Sequence, residues 1–298
     1  MRKAWNTDAT KFYLLISPWI IGFLVFIAGP MLASVVISLT EWSLLRDPVF
    51  VGLDNYRNLF RDSRFTQSLR VTARYTLISV PIKILLALII AMLLDRIKYF
   101  RNALRTVFYL PSVVSGVAVV VLWIWMFNPE IGLINYLLGL VGIPGPRWLY
   151  DPNWALEALI IMSFWGIGRE IVIFLAALQG VPDRLREAAM IDGANSLQVI
   201  RNVTIPMISP AIFFNVVMDM ISSFQVFTDA YVATEGGPLG ATRVTVLYLY
   251  QQAFQQLRMG YASAIAWILF FIILFFTLLV FKSSSLWVYY ESEVKGGA

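Results

Sequence analysis

The chain has 298 residues, 59% of them hydrophobic and only 14% charged, with a mean hydropathy of +0.74. A soluble domain carries nearer a quarter charged residues, so this composition is built for lipid. The absence of cysteine and histidine excludes disulfides, thiolate metal sites, thiol nucleophiles and imidazole bases, and a net charge of +5 in such a chain reports basic loops rather than nucleic-acid binding.

Crossing an oily core of about 30 Å takes about 20 mainly apolar helical residues. Six segments qualify: 12–39, 71–94, 105–127, 156–179, 207–228 and 261–281. The expected fold is therefore all-α, a polytopic membrane protein with one transmembrane domain over 1–298. Strands of a membrane barrel would alternate over about ten residues, and no segment does so.

Arg2, Lys3 and Lys11 precede the first span as in a secretory signal. Its apolar run is too long for one and ends in no small-residue cleavage site, so a retained helix is expected, kinked near Pro30. The loop after it holds VGLDNYRNLF (51–60), which reads as a short amphipathic surface helix. The second span carries Lys83 in its apolar part. The third has an uncharged apolar core, and the loop 128–154 behind it, with Pro129, Pro144, Pro146 and Pro152, reads as irregular. Arg169 and Glu170 lie inside the fourth span and Asp219 inside the fifth. Between the fifth and sixth spans, TEGGPLGAT (234–242) is a turn signal.

Six spans put both ends on one side. With the N-terminus cytoplasmic, the inner segments hold 12 basic residues: Arg2, Lys3, Lys11, Arg96, Lys98, Arg101, Arg105, Arg184, Arg186, Arg201, Lys282 and Lys295. The outer ones hold 8: Arg46, Arg57, Arg61, Arg64, Arg70, Arg147, Arg243 and Arg258. The excess predicts cytoplasmic termini, with the basic loop 95–105 as the strongest single indication.

Segment 183–206, which contains EAAMIDGANSLQVIRNVTIP, then faces the cytoplasm. Pro182 and Asp183 suit a helix start, and Glu187 suits its positive end. Ala188 and Ala189 leave room for close approach, Met190 and Ile191 offer an apolar contact, and Gly193, after Asp192, is a natural left-handed stop before Ala194. Asn195 or Ser196 then caps a second helix, LQVIRNVTI, expected to end before Pro206. Such an elbow is either an amphipathic linker in the headgroup layer or a handle for another polypeptide. None of the six lysines sits in a GxxxxGK[ST] phosphate loop, so a nucleotide motor, if one drives this chain, is a separate subunit.

The run EAAMIDGAN…IP resembles the EAA loop in membrane subunits of binding-protein-dependent ABC importers. LQGVPDRLREAAMIDGA, EGGP (235–238), QQAFQQLRMGYASAIA (251–266), YLPSVVSG (109–116) and VGLDNYRNLF look like the maltose-type, carbohydrate branch. The resemblance covers nearly the whole chain. It implies a coupling helix formed by Glu187, Ala188, Ala189, Met190, Ile191, Asp192, Gly193 and Ala194, between the fourth and fifth spans, that docks on an ATPase subunit. It further implies an inner-membrane permease paired with a second homologous permease, two ATPase subunits that bind the ATP and magnesium, and an extracytoplasmic solute-binding protein. On this reading the chain binds no cofactor or metal and catalyses no reaction.

Ionisable groups inside a span are costly and are default site candidates. At about 100° per residue, Asn215, Asp219, Ser222, Ser223 and Gln225 share one face of the fifth helix, with Val226 among them and Phe224 and Phe227 close by. Hydrogen-bonding groups beside flat rings suit a sugar, and in the resembling family the solute lies against this helix. The competing reading is polar contact between helices. Arg169 and Glu170, about 100° apart, are expected to face different spots, one of them answering Asp219 or Lys83. Glu170 and Trp165 join the candidate path. An ion-coupled transporter using Asp219 and Lys83 as a proton or ion site is the main alternative, and it leaves the elbow idle. An intramembrane enzyme lacks the nucleophile and base it needs.

Overall fold

The computed structural model describes residues 7–97 and 101–289. Arg2, Lys3, Lys98 and Lys295, four of the residues behind the charge count, lie outside them. In chain order the helices are α1 (Thr7–Phe23), α2 (Gly29–Ser38), α3 (Asp54–Arg61), α4 (Ser63–Arg96), α5 (Arg101–Tyr109), α6 (Gly116–Met126), α7 (Leu133–Leu140) and α8 (Ala155–Ser163). They continue with α9 (Gly168–Gln179), α10 (Asp183–Ile191), α11 (Ser196–Val199), α12 (Ile205–Met207), α13 (Ser209–Phe224), α14 (Thr228–Thr234), α15 (Thr245–Tyr250) and α16 (Met259–Ser284). A two-residue antiparallel ribbon, β1 (Thr40–Glu41) with β2 (Val49–Phe50), lies between α2 and α3.

Among the described residues, three helices are long and apolar enough to cross a membrane: Lys11–Ser38, α4 and α16. Three more crossings exist only as bent pairs: Ala103–Val113 with Gly116–Met126 at 95°, Ala155–Gly166 with Gly168–Gln179 at 46°, and Ser196–Met207 with Ser209–Phe224 at 67°. With each pair taken as one span, this is the all-α, six-span architecture that hydropathy predicts. The breaks are the correction to that reading. In the third span Pro111 falls in a 3₁₀ turn (Leu110–Val113) and Val114 is extended, so the chain turns sharply where its composition stays uninterrupted.

Two prolines are met by the same device. A π-helical turn, Leu24–Ala28, precedes Pro30, and another, Ile200–Thr204, precedes Pro206. In each, the residue just before the proline donates its N–H five residues back, Gly29 to Leu24 and Ile205 to Ile200. The widened turn accommodates a ring that would otherwise clash with the preceding helical turn. The second helix of the elbow therefore does not end before Pro206, as expected, but runs through it to Met207. The irregular loop 128–154 likewise contains an unforeseen helix, α7, whereas α3 forms where the amphipathic pattern placed it.

The described chain falls into two compact units. One comprises residues up to Asp62 with Leu249–Leu269. Here Asn55 donates to the carbonyls of Ser38 and Thr40, both at 2.9 Å, and Tyr261 to Asp62 at 2.6 Å. Gly260 lies so near Thr40 that a Cβ would stand 1.8 Å from its carbonyl oxygen. The other unit comprises Ser63–Tyr248 with residues from Phe270 onward, and it holds both the polar cavity and the elbow. Its cores are a cluster around Trp123, Phe127, Trp148 and Leu159, and a seam in which Ile84, Ala87, Leu88 and Ala91 of α4 pack on Ile171, Phe174, Leu175 and Leu178 of α9.

Candidate functional site

Polar groups that a lipid-facing surface would exclude collect in a cavity of about 450 Å³ in the second unit. Lys83 enters it from α4, Arg169 and Glu170 from the start of α9, and Asp219, Ser222 and Ser223 from α13. Gln225 caps the C-terminal end of α13 and also lines it. So does Trp165, whose other contact is an edge-on approach to Trp123 with ring centroids 6.0 Å apart.

The bends create this space. The 3₁₀ turns at Leu110–Val113 and Phe164–Gly166 bring Ser112 and Gly166 to the lining, and Ser112 donates to the Gly166 carbonyl at 3.4 Å. Gly168 is a point of close approach between the two bent spans. A Cβ there would stand 2.3 Å from the Phe108 carbonyl oxygen and 2.6 Å from Ser112 Oγ.

Two ion pairs organise the charges. Lys83 donates to Asp219 across the α4–α13 contact, with the Asp219 side chain 2% exposed and Lys83 13%. Arg169 donates to Glu170 at 3.0 Å. This overturns the expectation that Arg169 and Glu170 face different spots. A helical wheel places Cβ atoms, and the long arginine stem swings its guanidinium back over the neighbouring carboxylate. Asp219 and Lys83, for which one of these two was the expected partner, answer each other instead. Asp219 Oδ2 and Glu170 Oε2 stay buried without a hydrogen-bond partner among the described residues. An unmatched buried acceptor is expensive in hydrocarbon, so these oxygens are primed to receive a hydroxyl or amide hydrogen.

Not every residue of the expected stripe reaches the cavity. Asn215 is buried one turn before Asp219 and does not line it, and Phe224 stacks on Phe276 with centroids 5.5 Å apart. Phe227, expected beside the polar face, does line the cavity, and so do Tyr75, Ser112, Ser163, Thr228 and Asp229, which were not singled out from sequence. Pro111 in an apolar span was the signal for Ser112. Asp229 stood just beyond the fifth span and read as loop. The wall thus combines hydroxyls, an amide, charged pairs and three aromatic faces, a set suited to binding a polyhydroxylated solute.

The elbow is well formed. The Gly193 N–H bonds Met190 and the Ala194 N–H bonds Ala189 at 2.9 Å, with Gly193 at φ +87°, a left-handed helix stop as the sequence indicates. Asn195 and Gln198 form a reciprocal capping box at 2.9 and 2.7 Å. Asp183 is not the cap expected of it: Pro182 occupies that position, and no side chain caps α10. Met190, Ile191 and Leu197 are exposed, Ile191 to 86%, as are Glu187, Ala188, Asp192 and Gly193; Ala189 and Ala194 are half-buried.

The chain is 46% identical to a probable ABC transporter permease, YesP, of Bacillus subtilis, over 94% of this chain and 92% of that protein. It is 33% identical to a probable starch degradation products transport system permease, AmyD, of Thermoanaerobacterium thermosulfurigenes, over 88% and 89%. Its fold matches a chain in the crystal structure of a bacterial alginate ABC transporter in complex with alginate pentasaccharide-bound periplasmic protein, with a TM-score of 0.82 at 24% identity over 95% of this chain and 97% of that one. Residues 83–290 fit the model of one transport family. With that match and a 46% identical relative spanning almost its whole length, the chain belongs to the binding-protein-dependent transport system inner membrane components.

Proposed function

We propose that this chain is the permease subunit of an ATP-driven importer for a carbohydrate or polyol-type solute. Together with a second, homologous permease it forms the path. A binding protein delivers the solute from outside, and two ATPase subunits carry ATP and magnesium beneath. The chain itself performs no covalent chemistry. Spans near 12–39, 71–94, 105–127, 156–179, 207–228 and 261–281 put both termini and the 183–206 elbow in the cytoplasm. Closure of the motor moves the elbow, and the helices around the cavity open to one side or the other.

The observation that carries this reading is the elbow: a short helix with a left-handed stop, followed by a capped one, that presents Met190 and Ile191 uncovered. Apolar side chains held out by so ordered a backbone suit a groove in another protein. The hydroxyl-rich, ring-lined cavity supports a sugar-like solute, as do relatives named for starch products and alginate.

The test uses the reconstituted complex in proteoliposomes. Nothing lies within 4 Å of a Cβ built on Gly193, so Gly193→Val acts through its positive φ alone, costing of order 1 kcal/mol or more at that turn. Ala188→Trp adds bulk on the exposed side. Both should insert normally, hold the ATPase subunits weakly, and lose uptake together with binding-protein-stimulated hydrolysis. Parental rates in both would reduce the elbow to a linker.

Orientation is checked separately. Because the chain has no cysteine, Asp192→Cys supplies a single exposed thiol on the elbow. An impermeant thiol reagent should label it in inverted vesicles and not in intact cells. Labelling from outside intact cells would invert the assigned topology.

A further inference from the structure

The elbow has an exposed side and a side turned to the spans, and on the second one residue stands out. Arg186 of α10 lies in a recess of about 210 Å³ together with Met92, Asp95, Leu178 and Thr204, and the exposed Met190, one turn on, borders it while Ile191 does not. Its side chain is 24% exposed. One terminal nitrogen donates to the Leu178 carbonyl at 3.3 Å, and the other stands 3.8 Å from Asp95 Oδ2 and 3.8 Å from Asp183 Oδ1.

Asp95 is next to the last residue of α4, and Leu178 is next to the last residue of α9. The guanidinium therefore sits between two helix C-terminal ends. Each presents partial negative charge from carbonyls without helical partners, and Asp95 adds a full charge. The planar fork reaches both ends at once, which the single ammonium of a lysine does not reproduce.

What these ends are attached to gives the contact its meaning. Along α4, Lys83 lies 12 residues before Asp95, about 18 Å at the helical rise, and Glu170 lies 8 residues before Leu178 on α9, about 12 Å. Interdigitated side chains lock α4 and α9 along that length, so the pair resists bending and transmits displacement as a body. A push on their lower ends is delivered to Lys83, Arg169 and Glu170 at the cavity.

We propose that Arg186 is the positioning residue that links elbow movement to the α4–α9 pair and thereby to the cavity, distinct from the outward surface that meets the motor. This rests on the permease reading above. If that reading fails, the parental complex shows no hydrolysis that responds to binding protein; if only the present inference fails, the parental complex responds and the variants match it.

The experiment compares Arg186→Gln, Arg186→Lys, Asp95→Asn and the exchanged pair Arg186→Asp with Asp95→Arg, each as the full complex in proteoliposomes. Co-purification of the ATPase subunits, hydrolysis with and without binding protein, and solute moved per ATP are measured. Arg186→Gln and Asp95→Asn should keep the ATPase subunits and continue to hydrolyse ATP, while solute moved per ATP falls by roughly tenfold, within the range typical of coupling between sites. Arg186→Lys should lie between, and the exchanged pair should recover part of the loss. Asp95→Asn keeps the inference testable if Arg186→Gln does not assemble, because it leaves the elbow sequence intact. Parental solute per ATP in Arg186→Gln or Asp95→Asn would overturn the proposal. So would release of the ATPase subunits in step with the loss of transport in both variants, since that would make the contact part of the docking surface.

Discussion

Asp219→Leu should prevent most of the permease from assembling, because it leaves Lys83, 13% exposed, inside the protein without its carboxylate. Breaking a buried pair from one side costs about 3–5 kcal/mol, a large share of the stability of any one domain. Replacing both members removes that penalty, so Lys83→Met with Asp219→Leu should regain most of the assembled complex. Uptake should nevertheless stay low, because both residues line the cavity. Asp219→Asn keeps the shape and a hydrogen-bonding tip, so it should assemble and alter uptake. The measurements are the yield of complex co-purified with its ATPase subunits and the rate of solute entry into proteoliposomes. Normal assembly of Asp219→Leu would mean the ion pair is not worth its desolvation, and parental uptake by the double variant would remove the pair from the path.

An ion-coupled transporter makes the opposite demand on the same two residues. There the pair would have to open and bind a proton or cation in each cycle, and uptake would follow the ion gradient. In the importer the pair is a fixed part of the wall, and uptake follows ATP. The same proteoliposomes, with and without a gradient, separate the two.

Gly168→Ala should be damaging for a change of a single methyl group. Its Cβ would stand 2.3 Å from the Phe108 carbonyl oxygen and 2.9 Å from Tyr109 Cα, and backbone atoms cannot rotate aside. The fourth span must then move off the third. Overpacking of this kind costs about 1–3 kcal/mol, and Arg169 and Glu170 are carried along with the displaced helix start. Thermal unfolding of the purified protein in detergent should show a clear drop, along with weaker transport. Gly139→Ala in α7 is the matched control, because nothing lies within 4 Å of the added methyl. Equal midpoints for the two variants would show that the third and fourth spans can separate at little cost.

Much of this was legible in the sequence, and the failures have physical causes. Where the long apolar helices and bent pairs fall follows from hydropathy, because a crossing must bury about the same length of backbone in hydrocarbon. The bends at Leu110–Val113, Phe164–Gly166 and Ile208 did not show, because they leave average hydropathy unchanged and depend on how neighbouring helices pack. The Gly193 stop and the Asn195 box were readable because caps are local. On α13, angular arithmetic found Asp219, Ser222, Ser223 and Gln225 but also swept in Asn215, since a shared face does not say where along it the cavity ends. Tyr75, Ser163 and Asp229 come from separate helices that meet only through tertiary packing. Ala189, grouped with Ala188 as a point of close approach, is half-buried, so only its neighbour is fully on the outer side.

The π-helical turn at Ile200–Thr204 has a consequence for how the elbow is aimed. A π turn holds one residue more than the α turn it replaces, so everything beyond it is rotated by about 100° relative to a regular helix. Together with the 67° bend after Met207, that extra residue sets the compass bearing of α10 and α11 about the axis of the fifth span. Pro206 holds the turn open, since regular α geometry would drive its ring into the preceding backbone. The direction in which Met190 and Ile191 point is thus written not in the elbow but in a single surplus residue and a proline beyond it.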